Sequence, residues 1–272
     1  MKRPIGLHIR SDSFANLVQE ITQFQIPAVQ FFVPPMTNSL KAAQDNHQVM
    51  QQLHEVCKYT FVHASYHINL AHTASSAHPL LWEELAFLHY SNITHYVIHP
   101  GVVAKGADRA KALKQVARIL TIITKRYPKL TLLLENTAHG DRLIGSDIME
   151  LAQLRSLCNN NDNIKICIDT AHAYAYGYDI ATQQGLAQFI TTIEQNIGHE
   201  NIGLLHLNDV ATECASREDH HKLPGDGKIG AALQQSMHVA PWRFVPIIIE
   251  APCLPLLEQH AMLQRVQEWD SI

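Results

Sequence analysis

The sequence predicts an α/β protein built as a (β/α)₈ barrel. Short β-branched or aromatic runs alternate along the whole chain with longer segments of helical character. The runs are almost continuously apolar, which is typical of parallel strands buried on both faces of a sheet. Eight strand–helix pairs in 272 residues give 34 residues per pair, in keeping with this barrel. We therefore predict a single barrel domain over residues 1–272.

Eight segments are predicted to be strands, because each is a short apolar run bounded by polar or turn residues. In chain order they are residues 5–9, 28–32, 60–62, 96–98, 130–134, 164–168, 203–207 and 246–249. The segments between them have helical periodicity. Helices are predicted over residues 14–24, 39–58, 79–92, 107–127, 146–158, 184–197, 229–239 and 256–269. Ser39 and Ser146 stand at two helix starts, where a hydroxyl can cap the helix.

Composition limits both the fold and the class of function. An open doubly wound sheet is the alternative fold, but no GxGxxG loop or P-loop follows any predicted strand. The chain is 46% hydrophobic and 17% charged, which excludes a disordered protein. Its net charge of −4 disfavours binding to nucleic acid through overall positive charge.

The cysteines and the hydropathy indicate where the protein resides. The five cysteines, at positions 57, 158, 167, 214 and 253, include no CxxC pair. This odd, scattered set predicts a reducing compartment rather than a disulfide framework. No signal-peptide pattern is present, and no apolar run approaches membrane-spanning length. We expect a cytoplasmic protein with no membrane partner.

Six predicted strands in succession end in His, Asp or Glu, in a chain that has 18 histidines. These residues are His63, His99, Glu135, Asp169, His206 and Glu250. The intervals between them are 36, 36, 34, 37 and 44 residues, which follow the strand–helix period. Any one of them could be an ordinary hydrogen-bonded rim residue. Because barrel strands end at one rim, we expect all six side chains to converge. Mixed imidazole and carboxylate ligands suit zinc, manganese or iron rather than calcium.

Three further candidates lie off the strand ends. His172 follows Asp169 by three residues, and Asp219 and His221 are two apart in the segment after the seventh strand. In an extended loop the latter two side chains point the same way, so with His172 they could form a separate three-ligand site. An exposed polar loop is the alternative interpretation.

A series of motifs runs in order through residues 5–250 and covers nearly the whole chain. The motifs are Ser65-Tyr66, Ile68-Asn69-Leu70, His99-Pro100-Gly101, Glu135-Asn136-Thr137-Ala138, Asp169-Thr170-Ala171-His172-Ala173, Gly177-Tyr178-Asp179, His206-Leu207-Asn208-Asp209, Ser216-Arg217, Asp219-x-His221, Gly225-x-Gly227 and Glu250. This series resembles the endonuclease IV family of zinc-dependent abasic-site DNA nucleases. The Asp-Thr-x-His-Ala segment running to Gly-Tyr-Asp is its most specific part.

The resemblance implies a xylose-isomerase-like TIM barrel that holds three zinc ions, with Mn²⁺ or Fe²⁺ acceptable at some positions. The implied ligands are His63, His99 and Glu135 for the first ion, Glu135, Asp169, His206 and Glu250 for the second, and His172, Asp219 and His221 for the third. Glu135 is the implied catalytic residue.

The resemblance also implies the reaction and the partner. The reaction is hydrolysis of the phosphodiester 5′ to an abasic site by metal-activated hydroxide, which leaves a 3′-hydroxyl. Removal of 3′ blocking groups, a 3′-phosphodiesterase and 3′-phosphatase activity, accompanies it. The implied partner is double-stranded DNA with abasic sites or blocked 3′ ends, bound by a monomer.

Four residues are predicted to contact DNA, namely Met36, Tyr66, His67 and Arg217. The family carries an Arg after the second strand, whereas residues 33–38 here read VPPMTN. Met36 and Tyr66 are therefore the candidates to wedge into the unstacked DNA.

Other residues have two interpretations each. His8 either lines the site or is a plain rim residue, and the tyrosines at 174, 176 and 178 either stack on bases or pack a loop. Surface positions are expected for the histidines at 47, 54, 78, 89, 95, 199, 220, 238 and 260.

Two rival functions stay open at this stage. One is a sugar-phosphate isomerase or epimerase on the same barrel, which would use fewer metal ions. The other is a non-catalytic nucleic-acid- or metal-binding relative. The complete set of nine ligand-type residues favours the nuclease over both.

Overall fold

The computed structural model describes residues 3–34, 38–72, 78–239, 242–250 and 254–271. Eight parallel strands close into a barrel, which confirms the predicted fold class. They are β1 (Ile5–His8), β2 (Ala28–Phe32), β3 (Tyr59–His63), β4 (His95–Ile98), β5 (Thr131–Glu135), β6 (Ile164–Asp169), β7 (Ile202–His206) and β10 (Ile247–Ile249). A short antiparallel hairpin lies between β7 and β10 and consists of β8 (Asp209–Val210) and β9 (His221–Lys222).

Helices follow the barrel strands and cover the outside of the barrel. They are α1 (Phe14–Phe24), α2 (Ser39–Asp45), α3 (His47–Val56), α4 (Pro79–Tyr90), α5 (Arg109–Arg126), α6 (Ile148–Leu157), α7 (Thr170–Tyr176), α8 (Gln183–Asn196), α9 (Ala232–Ser236) and α10 (Leu256–Trp269). Within the described ranges, none of these helices combines the length and apolar character needed to cross a bilayer.

The predicted and observed helices differ at three places. The predicted helix 39–58 is two helices, because the chain leaves helical geometry at Asn46, whose side-chain amide donates to the Ala42 carbonyl oxygen at 2.8 Å. The predicted helix 229–239 shrinks to the five residues of α9. Helix α7 and the β8–β9 hairpin were not predicted.

Two predicted helix caps are wrong by one residue. Asn38 caps α2 by accepting from the Lys41 N–H, and Asp147 caps α6 by accepting from the Met149 N–H. Ser146 instead bonds to the Thr137 hydroxyl at 2.7 Å. Ser39 donates to the Glu83 carbonyl oxygen at 2.8 Å and so ties α2 to α4.

The barrel interior is filled by one residue from each of seven strands. This interior cluster consists of Ala28, Phe61, Val97, Leu133, Cys167, Leu204 and Ile248. The alternate residues of the same strands face outward and pack against the helices in a second, larger core. β1 contributes Gly6 at this level, where an added Cβ would lie 1.7 Å from the Ala28 carbonyl oxygen.

A bulge in β7 turns His206 toward the barrel interior. The pairing with β6 skips Gly203, so this residue is an extra member of β7. Ile202 packs with the outer core, whereas Leu204 belongs to the interior cluster. Because successive strand residues point to opposite faces, the bulge reverses the alternation and pairs an inward His206 with Asp169.

Replacing Gly6 by Ala should destabilise the barrel strongly. The new methyl group would meet the backbone of β2, which cannot move without breaking the pairing between strands. We expect the free energy of unfolding to fall by about 3 kcal/mol or more in denaturant titrations. Gly106→Ala is the control, since nothing lies within 4 Å of its added Cβ and only its φ of +75° is unfavourable. Its cost should be about 1 kcal/mol, and equal losses in both variants would contradict the packing argument.

Candidate metal centre

The C-terminal ends of the barrel strands bring six ionisable side chains to one rim. His63, Glu135, Asp169 and His206 are the last residues of β3, β5, β6 and β7. His99 and Glu250 directly follow β4 and β10 and complete the six. The structure thus places these residues at strand ends, as predicted. Their ligand atoms gather into clusters in which all members lie within 4.8 Å of one another.

Glu135 lies at the junction of two of these clusters. Its Oε2 is 3.1 Å from Nε2 of His63 and 3.0 Å from Nε2 of His99, which makes the first cluster. Its Oε1 is 3.0 Å from Nδ1 of His206 in the second cluster. The side chain is fully buried. One carboxylate therefore reaches two clusters through separate oxygens.

The second cluster joins Glu135 to Asp169, His206 and Glu250. Oε2 of Glu250 is 3.3 Å from Nδ1 of His206. The Asn208 amide donates to Oδ2 of Asp169 at 2.6 Å and to Oε2 of Glu250 at 3.2 Å. This amide holds two carboxylates side by side and offsets part of their repulsion.

The third cluster is delivered by helix α7 and the β8–β9 hairpin. Asp219 places Oδ2 at 3.2 Å from Nε2 of His172 and Oδ1 at 2.9 Å from Nε2 of His221. The predicted trio therefore meets, and His221 sits in a strand rather than in an extended loop. Asp169, the His172 ring and the His221 ring also form a group within 4.8 Å, so this cluster adjoins the second.

Backbone carbonyl groups orient two of the imidazoles. Nδ1 of His63 lies 2.7 Å from the Ala64 oxygen, and Nδ1 of His172 lies 2.8 Å from the Asn136 oxygen. A carbonyl oxygen can only accept a hydrogen bond, so each Nδ1 carries the hydrogen. The Nε2 atoms are thereby directed at the clusters, where a metal ligand would need them.

The clusters shift the pKa values of their members. Burial alone would raise the pKa of Glu135, but the imidazoles of His206 and His99 outweigh it and hold this pKa well below its usual range. Burial would lower the pKa of His221, but the Asp169 carboxylate outweighs it and the pKa is raised to about 9. Each of these two shifts favours the charged form of the group, because an opposite charge lies beside it.

Several side chains support the clusters from behind. His8 is buried with Nδ1 3.0 Å from Oε1 of Glu250, which favours its interpretation as a residue that supports the site. Gln30, Asn136 and Asn208 also contact cluster residues. The two asparagines stood in the motifs that carry the resemblance but were given no role, and Gln30 was missed. A usable signal existed for Gln30, because it is the polar residue of an otherwise apolar strand.

Tyr66, one of the residues predicted to contact DNA, lies over the first cluster. The Tyr66 side chain is 66% exposed, and its ring centroid is 5.4 Å from that of His63 and 5.9 Å from that of His99. His67 is exposed beside it. Met36 lies outside the described residues.

The fourth predicted DNA contact, Arg217, is exposed and stacks its guanidinium 3.8 Å from the Tyr176 ring centroid. Tyr174 is buried, and the Tyr178 hydroxyl donates to Oδ1 of Asp147 at 3.1 Å. Tyr174 and Tyr178 therefore make packing contacts, whereas Tyr176 is half-buried beneath the Arg217 guanidinium.

His78 departs from its expected surface position, because it is buried with Nε2 3.2 Å from the His72 carbonyl oxygen. The His220 side chain is exposed at 66%, as predicted.

Comparisons with known proteins show which family the chain resembles. Residues 18–269 match the model of a family described as xylose isomerase-like TIM barrel. The chain is 32% identical to a probable endonuclease 4 of Thermoplasma acidophilum, over 92% of this chain and 89% of that protein. It is 30% identical to apurinic-apyrimidinic endonuclease 1 of Saccharomyces cerevisiae, over 70% of this chain and 53% of that protein. Endonuclease IV from Thermus thermophilus aligns with a TM-score of 0.79 at 26% identity, over 98% of both chains.

Epimerase-like proteins share the barrel without comparable sequence similarity. A D-tagatose 3-epimerase-like protein aligns with a TM-score of 0.71 at 17% identity, over 98% of both chains, which shows a common fold alone. The endonuclease relatives, in contrast, match in sequence over most of the chain. The chain therefore belongs to the endonuclease IV family within the xylose isomerase-like TIM barrels.

Proposed function

We propose that this DNA endonuclease acts in DNA repair by hydrolysing the phosphodiester 5′ to abasic sites in double-stranded DNA, leaving a 3′-hydroxyl. Removal of 3′ blocking groups, as a 3′-phosphodiesterase and 3′-phosphatase, belongs to the same proposal. The observation that carries it is the buried Glu135, which joins two clusters of ligand atoms, with a third cluster adjoining them through Asp169. Membership of the endonuclease IV family supports DNA as the substrate.

The chemistry of the donor atoms fits three zinc ions. The clusters offer imidazole nitrogens and carboxylate oxygens, a set that suits zinc and also accepts Mn²⁺ or Fe²⁺. Glu135 and Asp169 are both fully buried, and buried carboxylates are costly unless cations or hydrogen bonds compensate them. The proposed ligands are those that the resemblance implied, namely His63, His99, Glu135, Asp169, His172, His206, Asp219, His221 and Glu250.

The protein contributes to the reaction by positioning the side chains that would hold the metal ions. When bound, zinc ions polarise the phosphoryl oxygens and lower the pKa of water in the site. Glu135 is the proposed catalytic residue, because its two oxygens reach the first and the second cluster and would hold the ions of both. The Asn208 amide holds Asp169 and Glu250 side by side, so these carboxylates would be preorganised to hold a zinc ion.

We propose that the exposed Tyr66 ring contacts the DNA at the abasic site. An abasic nucleotide must leave the helix to reach the rim, and unstacking costs a few kcal/mol. A ring that stands above the first cluster can fill the gap in the base stack, together with Met36. His67 and Arg217 are the proposed contacts to the DNA backbone, since both are exposed and polar. We further propose a monomer in the cytoplasm, in line with the free cysteines of the described chain.

Protein purified without chelator should contain about three zinc ions per chain. The expectation rests on three clusters of ligand atoms, of which the first two share Glu135 and the third adjoins the second through Asp169. Elemental analysis measures the count directly. One ion or fewer would reject the trinuclear centre and would favour an isomerase-type barrel with a smaller metal set.

Glu135→Gln should reduce incision of an abasic duplex by several orders of magnitude. The amide preserves the shape but removes the charge that both clusters share, so metal content should fall as well. His220→Ala is the matched control, because this side chain is exposed and belongs to none of the clusters. Parent-like cleavage of the abasic oligonucleotide by both variants would show that Glu135 has been given the wrong role.

Zinc affinity at the third cluster should rise with pH up to about 9. The pKa of His221 is raised to about 9, so an incoming ion must displace a proton from this ring at lower pH. In the metal-free protein, the contribution of His221 to folding stability changes with pH in the opposite direction, because it falls as pH rises. The ion pair of His221 stabilises the fold fully below its ordinary pKa of about 6.5 and loses this effect as pH rises through about 9. Calorimetric zinc titrations in buffers of different ionisation enthalpy measure the released protons, and a His221→Asn variant should release fewer. Equal proton release by both proteins would contradict this account.

A further inference from the structure

We infer that Gln30 is a positioning residue of the metal centre, which fixes the ring nitrogen that His206 presents and the carboxylate oxygen that Glu250 presents. The inference rests on the proposed metal sites and concerns a side chain that is not itself a proposed ligand. It follows from the hydrogen bonds of one buried amide.

Gln30 is a polar residue on the mainly apolar interior face of a barrel strand. It lies in the middle of β2 and is completely buried. By strand alternation it shares the inward face with Ala28 of the interior cluster, whereas Val29 packs with the outer core. A buried amide without partners would cost several kcal/mol, so its contacts define its role.

The Gln30 amide meets three polar groups of the site. Its Nε2 lies 2.7 Å from Oε1 of Glu250 and 2.8 Å from Nδ1 of His8. Its Oε1 lies 2.9 Å from Nε2 of His206. The amide thus joins β2 to residues that are more than 170 positions away in the chain.

The Glu250 carboxylate determines which way the amide points. An ionised carboxylate only accepts hydrogen bonds, so the NH₂ group of Gln30 must face it. The reversed amide would place two acceptor oxygens 2.7 Å apart. The carbonyl oxygen of Gln30 is therefore the atom that faces His206.

This orientation fixes the chemistry of the His206 ring. Because the amide oxygen can only accept, Nε2 of His206 must carry a hydrogen and donate it. Nδ1 is then the nitrogen left for a metal ion, and it lies 3.0 Å from Oε1 of Glu135 and 3.3 Å from Oε2 of Glu250. A partner of this kind, on the ring nitrogen opposite the metal, sets ring orientation and ligand basicity in metalloproteins.

The same amide divides the two oxygens of Glu250. Gln30 occupies Oε1, which leaves Oε2 on the side of His206 and the Asn208 amide. Loss of Gln30 would free both the His206 ring and the Glu250 carboxylate to rotate. The second cluster should therefore weaken, while the first and third keep their own supports.

Gln30→Met tests the inference, because Met matches Gln in length but offers neither the donor nor the strong acceptor. We expect the zinc affinity of one ion to fall about 10- to 100-fold in competition with a chelator. The zinc count after dialysis should drop by one relative to the parent. Val29→Ala is the control: it removes buried carbon from the same strand on the helix side and should keep the parent's zinc.

A second readout reports the hydrogen bond itself. In ¹H–¹⁵N spectra of the zinc-loaded parent, the Nε2–H proton of His206 should exchange slowly, and this protection should be lost in Gln30→Met. Unfolding of the metal-free variants measures any general loss of stability. Gln30→Leu provides a second apolar replacement if Gln30→Met does not fold.

Three results would overturn the inference. Parent-like zinc affinity and an unchanged Nε2–H signal in Gln30→Met would reject it and leave the trinuclear proposal intact. Equal zinc loss in Val29→Ala would show a general structural effect and would also reject it. If the parent itself bound one ion or fewer, the proposed metal centre would fail first, and the role of Gln30 with it. None of these measurements uses DNA cleavage, so failure of the proposed substrate is detected separately.

Discussion

The rest of the site depends on a carboxylate, Glu135, that is buried among imidazoles. Charged groups in such a position are unfavourable unless opposite charges lie within hydrogen-bond distance. Here two strands and a strand end supply them at 3.0–3.1 Å on both oxygens. The barrel makes this possible because parallel strands deliver their last residues to one rim. Backbone pairing between neighbouring strands holds them in register and so holds these distances.

Asp169 shows how closely fold and site are joined. Its Oδ1 accepts from the His172 N–H at 2.8 Å and so caps α7, while its Oδ2 accepts from the Asn208 amide at 2.6 Å within the second cluster. The helix begins directly after this residue, so the cap also brings the His172 ring to the third cluster. A conservative change to Glu would move both oxygens and affect the helix start and the cluster together.

Local sequence patterns predicted the barrel and much of the site. Each strand is a short apolar run, and each of the six rim residues directly ends or follows such a run. Strand boundaries agree within one residue, and the six strand-end residues and the trio meet as expected. The assignment of shared and separate ions came from the resemblance and stays a proposal. Gln30 was missed because its partners are distant: it contacts Glu250 across 220 positions. Helix α7 was missed because seven residues are too few for a clear helical period, and the caps at Asn38 and Asp147 were displaced by one residue.

Because of the Gly203 bulge, the number of residues in β7 determines whether His206 faces the metal centre. Insertion or deletion of one residue between Ile202 and His206 would exchange the two faces of the strand's end. The apolar residues on either side could still be accommodated, because both faces of this strand are buried. The imidazole could not, since it would point at the helices instead of at Glu135. The metal centre therefore tolerates insertions or deletions of two residues in this segment, but not of one. A single-residue gap in an alignment of β7 would identify a barrel that lacks this centre.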